Sequence, residues 1–227
     1  MRLFLFAALL SAAPALQAAS ATAPAPAPAP IEAAVAAYAR GDLARARNDF
    51  TRLSRNGTPA ADYNLAVMNL RGELPKANPR EALRLMTRAA EAGFVTAIFG
   101  LGQLHELGQA GLPVDLSQAH SWYLRAAEAG SVDAQVAVAT AFYLGRGAAK
   151  DAALAARWFR IAAQGGDIGA MYMVASMFEA GDGVERDLRE ARYWYSVAAR
   201  RRLRHWVRRE GGGWRASGGH GSDTRPR

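Results

Sequence analysis

The chain has 227 residues, a formal charge of +8 and no cysteine, which excludes disulfides, thiolate metal sites, cysteine nucleophiles and a lipid-modified N-terminal cysteine. The charge is unevenly placed: residues 200–227 hold nine arginines against Glu210 and Asp223, while residues 21–199 hold 18 basic and 18 acidic side chains. The neutral body therefore offers no basic groove for nucleic acid, and its alanine-rich composition, almost free of β-branched runs, favours helix.

The first elements are not part of a fold. Arg2 is followed by an apolar run over residues 3–10 and then by small residues. Leu16-Gln17-Ala18 and Ala19-Ser20-Ala21 are both acceptable to a signal peptidase. The apolar run is shorter than the ~20 residues a membrane-spanning helix requires. Residues 1–19 are read as a secretory signal peptide, cut between Ala18 and Ala21, which implies a periplasmic or secreted protein with no span after cleavage. Residues 20–30 form an alanine- and proline-rich linker, in which the two alternate from Ala23 to Pro30. Proline fixes φ and lacks a donor, so this stretch is expected to be an extended spacer.

Residues 31–57 read as a short helical hairpin, with helices near 31–40 and 42–56. Asp42, Ala46 and Phe50 are spaced as in the second helices of the units that follow, but no long loop joins the pair. This is expected to be an N-terminal capping hairpin.

Residues 58–199 repeat themselves. Gly57, Gly93, Gly130 and Gly166 recur every 36 or 37 residues. Gly72, Gly108, Gly145 and Gly181 each lie eleven residues after an alanine, Ala61, Ala97, Ala134 and Ala170. Asn78, Asp115, Asp151 and Asp187 are each followed four residues later by Ala82, Ala119, Ala155 or Ala191, and three residues further on by Leu85, Trp122, Trp158 or Trp194. Met86, Tyr123, Phe159 and Tyr195 come next. The Asn or Asp is an N-cap, whose oxygen accepts an N–H of the first helical turn. The glycines stand where helices end and the chain turns left-handed. The alanines face inward, where a larger side chain would overpack by roughly 1–3 kcal/mol. The aromatic pair fills the space between successive hairpins. Each unit is thus a first helix, a glycine-bearing loop, a second helix and a tight glycine turn. First helices are expected near 60–71, 96–107, 133–144 and 169–180, and second helices near 78–92, 115–129, 151–165 and 187–199 or beyond.

The pattern Ala170, Gly181, Gly183, Val184, Asp187, Ala191, Trp194, Tyr195, Ala198, Ala199 resembles the Sel-one-like repeat family, relatives of the tetratricopeptide repeat with a longer loop inside each unit. The resemblance covers about residues 60–199. The first unit departs from it, with Leu85 and Met86 for the aromatic pair and Pro75 in the loop. It implies an all-α, right-handed α-solenoid of about five helical hairpins. It also implies that exported bacterial members act as adaptors or regulators, and that the first helices line a concave face.

The helical wheel gives the same assignment independently. With Ala61 and Leu65 inward, the residues two, six and nine places after the first-helix alanine point away from the core. They are Tyr63, Val67 and Leu70; Phe99, Gln103 and Glu106; Val136, Thr140 and Tyr143; and Tyr172, Ser176 and Glu179. Solvent-facing positions are normally charged, whereas these are mostly apolar, aromatic or small and polar. They are candidates for holding a peptide or a segment of a partner protein. The competing reading is that some of the aromatics pack between neighbouring first helices.

Other signals point to no chemistry. His105-Glu106 has no second histidine four residues on, so no metal or other cofactor is expected. The pairs Glu91 with Glu128 and Glu106 with Glu179 are repeat-equivalent, which spaces carboxylates apart instead of converging them on one bond. Gly145-Arg146-Gly147 and Gly181-Asp182-Gly183 follow helices, whereas a phosphate loop follows a strand. No catalytic residue is assigned. An exported interaction scaffold is the leading reading, with an enzyme acting on cell-wall peptides or β-lactams as its alternative. Residues 200–227 keep three readings. One is a final helix carrying Ala199, Leu203, Trp206 and Val207 that covers the end of the stack and is followed by disorder after Gly211. The second is a basic contact with an anionic surface or acidic partner. The third is a shifted reading frame.

Overall fold

The computed structural model describes residues 30–210, with side chains described through Leu203. The expected signal peptide, most of the alanine–proline spacer and the tail beyond 210 lie outside the described residues, and the apolar stripe of the last helix lies inside them only as far as Leu203.

The described residues form helices joined by turns, with no strand among them. The chain divides into two compact units, one ending at Ser131 and the other beginning at Val132. In the first unit, α1 (Pro30–Ala39) and α2 (Leu43–Arg55) form the short hairpin. They are followed by α3 (Pro59–Leu70) with α4 (Pro79–Glu91), and α5 (Val95–Leu107) with α6 (Leu116–Glu128). Each of these helices packs on the next, so the hairpins stack in chain order. The second unit repeats the scheme with α7 (Val132–Leu144) on α8 (Ala152–Gly165), and α9 (Ile168–Ala180) on α10 (Leu188–Glu210). At 23 residues, α10 runs well past the 13 or 14 of α6 and α8.

Local chemistry sets the helix starts. Asp42, Asn78, Asp115 and Asp151 accept from the backbone N–H of Arg45, Arg80, Gln118 and Leu154, and Asp187 accepts from Arg189 and Glu190. Each pairing satisfies an N–H left without an intrahelical partner, a contribution of typically ~1 kcal/mol. Asp167 caps α9 in the same way through the Ala170 N–H, a cap the repeat comparison did not identify.

The alanines at the repeated inward positions are buried throughout. In the first unit the core is filled by Phe50, Met68, Met86, Leu101 and Leu104. In the second it is filled by Phe159, Met171, Val174, Met177, Phe178 and Trp194. The aromatic pair does not pack uniformly. Tyr123 and Phe159 are buried while Trp122 and Trp158 are half-buried, and in α10 the order reverses, with Trp194 buried and Tyr195 half-buried. The Arg125 guanidinium lies 4.4 Å from the Trp122 ring, covering the face that the core leaves open.

Gly183 shows how tightly hairpins nest inside the second unit. Its φ is +71°, and a Cβ there would lie 2.2 Å from the carbonyl oxygen of Ala152, the first residue of α8. The loop entering α10 therefore sits against the start of the preceding second helix, with no room for a side chain.

In the first unit a buried carboxylate and an exposed arginine tie three helices. The Asp62 carboxylate of α3 is 3% exposed and accepts from both Nε and Nη2 of Arg88 in α4, the former at 2.6 Å. Arg88 Nη2 also donates to Ser54 Oγ of α2 at 2.7 Å.

Candidate functional site

The outward positions of the first helices differ in accessibility from one hairpin to the next. In α3, Tyr63 and Val67 are buried and Leu70 is half-buried. The Tyr63 ring lies 5.5 Å from that of Phe94, and a Cβ on Gly100 of α5 would touch both Met86 and Tyr63. Packing between neighbouring first helices accounts for Tyr63, so it supports the face from beneath. Burial raises its phenol pKa.

In α5, Phe99, Gln103 and Glu106 are half-buried. The Phe99 ring lies 5.2 Å from Tyr123 of α6, and the Tyr123 hydroxyl donates to Glu106 Oε2 at 2.7 Å. Gly102 makes this possible, because a Cβ at that position would fall 2.5 Å from the Tyr123 ring. Burial first, and then the bond to Glu106 and its charge, hold the Tyr123 phenol far above its ordinary range.

In α7, Val136, Thr140 and Tyr143 are half-buried. The Thr140 hydroxyl donates back to the Val136 carbonyl at 2.8 Å. Tyr143 meets Phe159 of α8 edge-on at 6.5 Å, and its phenol is raised by hydrogen bonding to the Asp182 carboxylate and by that carboxylate's charge. In α9, Tyr172, Ser176 and Glu179 are all exposed. The Tyr172 ring lies 6.0 Å from Tyr195 of α10, and the Tyr195 hydroxyl donates to Glu179 Oε2 at 2.9 Å.

One arrangement recurs. The position nine residues after the first-helix alanine meets the position four residues after the second-helix alanine: Glu106 with Tyr123, Tyr143 with Phe159, and Glu179 with Tyr195. A carboxylate faces a tyrosine, or an aromatic ring faces an aromatic ring. A similar bond at other positions links the capping hairpin to the loop after α3, where the Tyr38 hydroxyl donates to Glu73 Oε2 at 2.9 Å and accepts from Arg71 Nη1 at 2.7 Å. Sequence reasoning placed Glu106 and Glu179 on the candidate face as repeat-equivalent carboxylates, and missed that each is a tyrosine's hydrogen-bond partner. It also missed Gly102, Asp182 and the Tyr38–Glu73 pair. The matched columns, Glu with Tyr and Tyr with Phe, are the signal that could have paired them.

The second unit also carries an open pocket of about 460 Å³, lined by Arg160, Phe178, Val184, Glu185, Arg186 and Asp187. The Arg160 guanidinium stacks 5.0 Å from the Phe178 ring. Among the described residues, no three of His, Asp and Glu gather closely enough to hold a metal ion. His120 is half-buried, and burial lowers its pKa.

The sequence pattern of the Sel1 repeat matches residues 59–94, 95–131, 132–167 and 168–202. The fold is similar to that of a protective antigen present in uropathogenic Escherichia coli strains and displaying an SLR fold. That match has a TM-score of 0.70 and 26% identity, and covers 82% of this chain and 42% of that one. It is also similar to a Sel1 repeat protein from Oxalobacter formigenes, with a TM-score of 0.65 and 30% identity, covering 73% of this chain and 49% of that one. The chain thus spans less than half the length of either. No curated protein matches its sequence.

Proposed function

The chain belongs to the Sel1 repeat family, and on that premise we propose that it is an exported scaffold or regulator that binds a peptide or partner-protein segment along its first helices. The observation that carries this reading is the α9 face. Tyr172, Ser176 and Glu179 stand exposed in a row spaced four and three residues apart, so an aromatic ring, a hydroxyl and a carboxylate share one side of the helix. An extended or helical segment could lay an apolar side chain on Tyr172 and a cationic or amide group on Glu179. The half-buried Phe99, Gln103 and Glu106 of α5 offer the same chemistry in the first unit, at positions equivalent in the repeat. Tyr63 and Val67 take part only as support.

Export is supported by the basic, apolar and small-residue order of residues 1–21. It is tested by the mass of the N-terminus recovered from the periplasmic or extracellular fraction. The expected first residue lies between Ala19 and Thr22, and an intact Met1 in the cytoplasm would refute export.

The binding test is site-specific photocrosslinking in the native cell. A photoreactive residue at Gln103 or at Ser176 is expected to capture a partner, whereas one at the exposed Arg157 of α8 is not. The double variant Tyr172→Ala/Glu179→Lys, with unchanged helicity, is expected to lose the capture from Ser176. Equal capture from all three positions, or capture indifferent to the double variant, would refute the first-helix face.

A further inference from the structure

The second helices of the repeats occupy equivalent positions, and α10 departs from the others in charge. Where Glu91, Glu128 and Gln164 stand on the earlier second helices, α10 has Arg200. Where they carry Leu83, His120 and the buried Ala156, α10 has the exposed Arg192. Helical spacing aligns Arg189, Arg192, Tyr193, Ser196, Arg200 and Leu203 along one side, opposite the buried Ala191, Trp194 and Ala198.

That side has three properties. It is basic: Arg189, Arg192 and Arg200 lie on it, and up to Leu203 the carboxylate of the helix is that of Glu190, off this side. Its cations are free of carboxylates: among the described residues neither Arg189, Arg192 nor Arg200 is in an ion pair, and Arg200 donates only to Ser196 Oγ. It is also amphipathic, because Tyr193 and Leu203 are 54% and 61% exposed between the arginines. From Arg189 to Leu203 the face runs for about 21 Å along the helix. Guanidiniums aligned on one side of a helix with an exposed ring and an isobutyl group suit a plane of phosphates over an apolar layer.

We propose that the outward face of α10 docks on an anionic lipid bilayer, with Arg189, Arg192 and Arg200 against lipid phosphates and Tyr193 and Leu203 entering the interfacial layer. The contact is distinct from the first-helix faces of the proposed partner site. Binding to the bilayer would leave Tyr172, Ser176 and Glu179 of α9 to a protein partner.

The test is flotation of the full chain with phosphatidylcholine vesicles, and with vesicles in which about a third of the lipid is phosphatidylglycerol. The neutral vesicles report any contribution of the apolar residues 3–10. Salt-sensitive binding specific to the anionic vesicles is expected. Arg189→Gln/Arg192→Gln/Arg200→Gln should weaken it by roughly tenfold or more, with helicity unchanged. Removal of residues 211–227 should leave the greater part of it. The proposal is overturned by equal binding to neutral and anionic vesicles, by a triple variant that binds like the parent, or by loss of binding on tail removal alone. Tighter binding to polyglutamate or to duplex DNA than to anionic vesicles would assign the face to a different partner and also overturn it.

Discussion

Gly183→Ala probes the nesting of hairpins in the second unit. The substitution has two separable costs. A non-glycine residue held at φ +71° is disfavoured by about 1–2 kcal/mol. The new methyl would also fall 2.2 Å from the Ala152 carbonyl oxygen and 2.8 Å from the Ala153 nitrogen, which are backbone atoms that cannot rotate aside. Overpacking of this kind adds about 1–3 kcal/mol, for a total of roughly 2–5 kcal/mol. Gly181→Ala is the internal control. It lies in the same loop at φ +75°, and its added Cβ would come no closer than 3.3 Å, to the Arg186 Cβ. It should carry the backbone cost and little else. Urea unfolding followed by far-UV circular dichroism gives both values, and hydrogen exchange of α8 and α9 amides shows whether the loss is local. Gly183→Ala should exceed Gly181→Ala by at least about 1 kcal/mol, with reduced protection at the start of α8. Equal costs would mean that the loop does not press on α8, and the nesting argument would fail.

The Asp62–Arg88 pair should respond asymmetrically. Arg88→Met strands a carboxylate that is 3% exposed and should cost about 3–5 kcal/mol, whereas Asp62→Asn leaves an arginine whose side chain is 44% exposed to rehydrate, and should cost less. Thermal unfolding of the two variants reads the difference, and equal losses would contradict it. Trp194→Ala removes a buried indole and should cost about 3–5 kcal/mol, while Trp122→Ala, from a half-buried site, should cost clearly less in the same assay. For Tyr123, folding raises the phenol pKa above its ordinary 10.0, so the folded chain holds that proton more tightly than the unfolded chain does. The stabilisation is complete below pH ~10 and is lost as pH rises beyond it. Tyr123→Phe should therefore flatten the loss of stability measured by urea titration above pH ~10. An unchanged alkaline slope would contradict the burial of that hydroxyl.

Much of the fold was legible because its determinants are local. An aspartate three residues before the N–H it accepts, as Asp115 is to Gln118, needs no tertiary knowledge. A glycine at a helix end, such as Gly108 or Gly181, fixes a boundary by backbone sterics alone. The alanine columns were readable because every repeat applies the same packing constraint. The candidate faces were only half legible. A helical wheel gives direction within one helix, and it placed Tyr172, Ser176 and Glu179 on a side that is exposed. It carries no information on what a neighbouring helix places opposite. Tyr63 is buried because Phe94 and the α5 backbone at Gly100 stand against it, 31 or more residues away in the chain. The Asp62–Arg88 pair, 26 residues apart and found in one repeat only, left no periodic trace. Trp194 exchanged burial with its neighbour Tyr195, which repeat averaging could not reveal.

The most direct measurement uses the absence of native cysteine. An ideal Cβ on Gly165, in the last turn of α8, lies 3.8 Å from the Cβ of Val132, at the start of α7. That matches the mean Cβ separation of a disulfide, about 3.8 Å. Val132→Cys/Gly165→Cys should close a single disulfide under mild oxidation, identified by non-reducing peptide mapping, while the register-shifted pair Gln135→Cys/Gly165→Cys stays reduced. Failure of the first pair to close, or equal closure of both, would contradict the fixed hairpin register on which the repeat packing and both proposed surfaces depend.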